Sequence, residues 1–127
     1  MSIEWNEAYK IGHPAIDTQH QRLFELTRAL MAADNQPVLR GLLMQLYKHT
    51  REHFELEEAL MRKLNFPNTG AHTDSHNQLL IRLNGVCQEV GQGQVNKPVV
   101  DALMTDWALR HIAHDDAQLA AFMARQA

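Results

Sequence analysis

Residues 111–116 read HIAHDD, four titratable side chains in six residues, on a stretch whose neighbours are apolar. The chain holds eight histidines, and several sit where a helix would turn them toward apolar partners. His53 and Glu57 are four apart and stack on one helix face, as do His72 and His76. His20 shares a face with Leu23 and Phe24, and His111 follows Trp107 and Ala108 inward. Buried imidazoles and carboxylates are costly unless they find partners or a metal ion. Counted together, His20, His53, His72, His76, His111, Glu57 and one aspartate are more donors than one ion takes, and they suit two. The chain lacks the cysteine sets of structural zinc or iron–sulfur sites and lacks HExxH. No Glu has a His three residues later, which removes the Glu-x-x-His pattern of ferritin-like di-iron bundles. Imidazole-rich ligation with few carboxylates suits iron, copper, zinc or nickel better than magnesium or calcium.

Seven scattered donors meet only if the chain brings them together. The breaks are sparse: Asn35 to Pro37, the turn-rich NFPNTG at 65–70, and GQGQVNKP at 91–98. Pro37 and Pro98 suit the first turn of a following helix, and Asp17 or Thr18 can cap the first one. Between the breaks the apolar spacing is helical and no segment alternates as a strand would. The expectation is an all-α single domain over 1–127. It has an irregular N-terminal arm at 1–16 and helices at about 17–33, 37–64, 70–90 and 98–124. Short connections make these an antiparallel, up-down-up-down four-helix bundle. In that topology one end collects the start of the first and third helices and the end of the second and fourth. His20, His53 with Glu57, His72 with His76, and His111 with its aspartates all lie in those portions. A single His on an apolar face is more often a satisfied core residue than a ligand; the convergence of five with a glutamate is what argues for metal. Helix geometry alone selects Asp115, four residues after His111, as the aspartate.

Composition narrows the partners. The length suits one compact domain, and 45% hydrophobic with 21% charged residues describes an ordinary soluble protein. A net charge of −3 gives no footprint for nucleic acid or an anionic membrane, and no apolar run reaches the length of a span. MSIEWNEAYK has no signal-peptide core, and the lone Cys87 has no internal disulfide partner, so the expected location is cytoplasmic.

The motifs IDTQHQRLFEL (16–26), HFELEE (53–58), HTDSH (72–76) and WALRHIAHDD (107–116), in this order and spacing, resemble the hemerythrins, closely the single-domain bacterial ones (bacteriohemerythrins). The resemblance covers nearly the whole chain. It implies two iron ions (Fe2+/Fe3+), one held by His72, His76 and His111 and the other by His20 and His53. Glu57, Asp116 and an oxo or hydroxo group would bridge them, leaving the second iron an open position for dioxygen. It therefore selects Asp116 over Asp115, although five residues turn an α-helix by about 140° from the His111 direction. Either a sideways-reaching carboxylate or a local π-type turn would reconcile the two. His114 and Asp115 are then expected to face solvent, His49 and Glu58 to lie at or beyond the edge of the site, and His13 to have no part in it. The implied function is reversible dioxygen binding for storage, delivery or sensing, not enzymatic catalysis. The alternatives are a di-iron redox enzyme (peroxidase, oxidase or nitric-oxide handling) and an oxidation-state sensor for a protein partner. One departure stands out: relatives commonly carry Leu where Ala108 stands, which implies a larger or wetter pocket and faster autoxidation.

Overall fold

The computed structural model describes residues 4–94 and 96–126. Its long helices are α1 (Pro14–Ala32), α2 (Gln36–Leu64), α3 (Thr69–Gly91) and a fourth rod. That rod runs as α4 (Lys97–Thr105), a π-helical stretch (Asp106–Asp116) and α5 (Ala117–Gln126). No strand occurs among the described residues. Successive helices pack on one another, and α1 also packs on the fourth rod, which closes a four-helix bundle.

The starts follow local chemistry. Asn35 and Asn96 cap α2 and α4 by accepting from Val38 N and Val99 N, and proline stands in the first turn of each. α2 stops where Asn65 takes a left-handed φ of 55°, with Phe66 N bonded back to Met61 O. The first helix departs from expectation. Neither Asp17 nor Thr18 caps it; His13 does, its Nδ1 accepting from Ile16 N at 3.3 Å, with Pro14 opening the helix. Asp17 instead turns back to accept from Ile11 N at 2.8 Å, tying the arm to the bundle. The arm also holds a short 3-10 turn, Glu7–Tyr9 capped by Asn6, and lays Trp5 and Tyr9 against Phe24.

The core falls into two parts along the bundle axis. The larger contains Leu23, Leu30, Leu43, Leu46, Phe54, Leu83, Leu103 and Trp107. The smaller, around Ile11, Ile16, Met61, Phe66 and Leu119, closes the other end. On α2 the buried stripe runs through Leu39, Leu43, Leu46, Thr50, His53, Phe54, Glu57 and Met61, while Leu60 and Leu64 are only half-buried. Between the two parts lies a layer of fully or nearly fully buried polar side chains.

Candidate metal centre

That layer contains His20, His53, Glu57, His72, His76, His111 and Asp116, none more than 4% exposed. The structure brings all seven together. Glu57, His72, His76, His111 and Asp116 form one group whose donor atoms lie within 4.8 Å of one another; His20, His53, Glu57 and Asp116 form a second. The two groups share both carboxylates.

The nitrogens that face inward are all Nε2. His20 Nε2 is 3.1 Å from Asp116 Oδ2 and 2.9 Å from His53 Nε2, which lies 3.2 Å from Glu57 Oε2. His76 Nε2 is 3.1 Å from Glu57 Oε1, His72 Nε2 reaches both Glu57 and Asp116, and His111 Nε2 stands 3.2 Å from Asp116 Oδ1. On the other side of three of the rings Nδ1 finds an acceptor. His53 Nδ1 donates to Gln19 Oε1 at 2.7 Å, His76 Nδ1 to Glu58 Oε2 at 2.8 Å, and His111 Nδ1 to Asp115 Oδ2 at 3.0 Å. A neutral imidazole that donates from Nδ1 offers a lone pair at Nε2. Lone pairs of nitrogen therefore meet lone pairs of carboxylate across this layer.

Only positive charge resolves that arrangement. Glu57 Oε2, His111 Nε2 and both Asp116 oxygens are buried without a hydrogen-bond partner, where such orphans are rare and expensive. Burial and the neighbouring Asp116 charge push the Glu57 carboxyl up, yet His53, His72 and His76 outweigh them and hold it at about 2. Asp116, despite complete burial, is likewise held well below the carboxylate range by His111, His20 and His72. Burial opposes charge on His111 and His72, but the facing carboxylates raise their pKa values to about 10 and about 9. The pocket thus keeps two anions ionised and favours positive charge, a proton or a metal ion, on the nitrogens that face them. Metal ions would meet that demand with the inward Nε2 atoms as ligands, so the residues present fit a two-metal group.

The π winding explains Asp116. Hydrogen bonding from i to i+5 widens the turn and swings the fifth following residue back toward the direction of the first. From Asp106 to Asp116 the fourth rod is wound this way, so Trp107, Ala108, His111, Ile112 and Asp116 are the buried positions. Asp116 lies inside and Asp115 at its edge. Asp115 does not simply face solvent as expected: it bonds His111 Nδ1, and Ser75 Oγ donates to it at 2.9 Å. His114, with its side chain 72% exposed, does face solvent.

Around the layer, Phe54 stacks on His76, ring centroids 3.7 Å apart. Trp107 lies 5.3 Å from the His111 ring and 5.7 Å from that of His53, its Nε1 donating to Thr50 Oγ1 at 3.1 Å. His49 stays outside: its Nε2 bonds Gln19 O at 2.9 Å, and burial lowers its pKa. Cys87 is a half-buried packing residue near Leu43 O. Gln19 is the partner that sequence reasoning missed. Its one signal was adjacency to His20, which says nothing about a hydrogen bond to another helix.

Comparison with known proteins agrees with this geometry. Residues 12–123 match the profile of the hemerythrin HHE cation binding domain. The chain is 26% identical to a bacteriohemerythrin of Pseudomonas aeruginosa, covering 91% of this chain and 77% of that one. It is 29% identical to myohemerythrin-1 of Phascolopsis gouldii, covering 88% and 87%. A crystal structure of a hemerythrin leucine-to-tyrosine mutant superimposes with a TM-score of 0.81 over 94% of this chain and 95% of that one, at 25% identity.

Proposed function

The chain belongs to the hemerythrin family, and from that premise we propose that it binds dioxygen reversibly at a pair of iron ions. The observation that carries this reading is the sharing of Glu57 and Asp116 by two donor groups of unequal size. When bound, the iron pair supplies one reducing equivalent from each ion and an open position for dioxygen. His72, His76 and His111 would hold one iron, His20 and His53 the other, with Glu57 and Asp116 between them.

The chain's own residues do the rest. The Nδ1 bonds to Gln19, Glu58 and Asp115 fix the tautomers, so that each of those rings presents Nε2 to the site. The charges of Glu57 and Asp116 offset those of the metal without help from solvent, because both are fully buried. Phe54 and Trp107 lie against the histidine rings as an apolar wall that excludes water, with Ala108 and Ile112 in the same buried cluster, and Thr50 occupies the one Trp107 donor that would otherwise need it. A dry site without a free acid or base favours release of dioxygen over its further reduction.

The test is an absorbance cycle on the reduced, iron-loaded protein. A charge-transfer band that rises in air and vanishes under argon supports reversible binding. Direct passage to a stable ferric spectrum contradicts it, and turnover with peroxide would assign the protein to redox catalysis instead.

Ala108 tunes this function. It is fully buried, one turn before His111. Ala108→Leu adds apolar bulk to that wall and is expected to slow autoxidation on the order of tenfold, equivalent to about 1.4 kcal/mol of barrier. The decay of the air-equilibrated spectrum measures it; an unchanged rate removes Ala108 from the account.

A further inference from the structure

The two halves of the cluster are backed differently. In the three-histidine group, His76 Nδ1 bonds the Glu58 carboxylate at 2.8 Å and His111 Nδ1 the Asp115 carboxylate at 3.0 Å. Ser75 Oγ bonds the same Asp115 oxygen at 2.9 Å and holds it in place. In the two-histidine group, His53 Nδ1 meets only the neutral amide oxygen of Gln19 at 2.7 Å, and His20 Nδ1 is buried with no partner. Anionic acceptors therefore stand behind one half and not the other.

A carboxylate accepting from Nδ1–H draws the proton outward and makes Nε2 more basic and more electron-donating; a neutral amide does this weakly. We propose that Glu58 and Asp115 are positioning residues that make the His72/His76/His111 half the tighter metal position, and the one that more strongly favours the ferric state. Gln19 keeps the His20/His53 half looser and more readily kept ferrous. The inference rests on the iron-pair reading above. The asymmetry places strong donation on the half with the full donor set, and leaves the half with fewer donors electron-poorer and freer to exchange a ligand.

The test uses the reduced, iron-loaded protein, equilibrated without air against a graded chelator series, with retained iron counted per chain. Loss is expected in two steps. Asp115→Asn should weaken the tighter step by roughly 10–100-fold and move the weaker one by less than about threefold. Gln19→Glu, which gives His53 an anionic acceptor, should strengthen the weaker step by about tenfold. The reduction potential should rise in Asp115→Asn and fall in Gln19→Glu, a pair of opposite shifts that mere loosening of the fold does not produce. Two retained ions whose steps ignore both variants, or variants that shift both steps and both potentials in one direction, overturn the proposal. A wild-type chain that fails to retain two ions overturns the iron-pair reading itself, and this proposal with it.

Discussion

Glu57→Gln is expected to lower metal affinity by more than about 100-fold at both positions, since even the partners of ligating histidines are worth 10–100-fold. Glu57 Oε1 faces His72 and His76, and Oε2 faces His53 at 3.2 Å and His20 at 3.9 Å. No other residue but Asp116 belongs to both donor groups. Glutamine keeps the shape but removes the charge, and its NH2 offers hydrogens where ligand oxygen is needed. Iron measured after gel filtration should fall from about two per chain to well below one, while helical circular dichroism stays unchanged, as expected where a shared bridging ligand is lost. Glu55→Gln, on an exposed side chain paired loosely with Arg51 at 3.8 Å, should change neither. Full retention by Glu57→Gln would mean that the shared carboxylate is not a ligand.

Phe54→Ala should produce the largest loss of stability. Its ring is 1% exposed, stacks on His76 and packs 4.8 Å from the Trp107 ring, centroid to centroid. Removing a buried phenyl costs roughly 3–5 kcal/mol because the cavity collapses only in part. For a domain of this size that corresponds to roughly 10–20 °C in Tm. Because His76 loses the surface against which it lies, iron retention should weaken as well. Thermal melts of the iron-loaded and chelator-stripped protein would measure both; a shift below about 3 °C, under 1 kcal/mol for such a domain, would show that the site does not depend on this stack.

Much of this was legible in the residues. Pro37, Pro98 and the NFPNTG turn mark helix boundaries because proline and asparagine act through local backbone geometry. His53 with Glu57, and His72 with His76, were readable because spacing by four puts side chains on one face whatever the tertiary context. The fourth rod was harder. An α-helical reading placed Asp115 inside, and only the resemblance favoured Asp116; the π winding that turns Asp116 inward depends on packing across the bundle. The start of α1 was missed because His13 is an unusual cap, although Pro14 is a common first-turn residue. The roles of Gln19, Glu58 and Asp115 were illegible for a related reason. Gln19 and Glu58 reach histidines on other helices, and Asp115 is held in place by Ser75 from another.

The central claim is that two metal positions share Glu57 and Asp116. Anomalous diffraction at the iron edge, from crystals of the iron-loaded protein, tests it most directly. The account predicts two iron peaks inside the buried layer. One should lie among His72, His76 and His111, the other beside His20 and His53, with Glu57 and Asp116 contacting both. A single peak, or a pair that does not share those carboxylates, would contradict it.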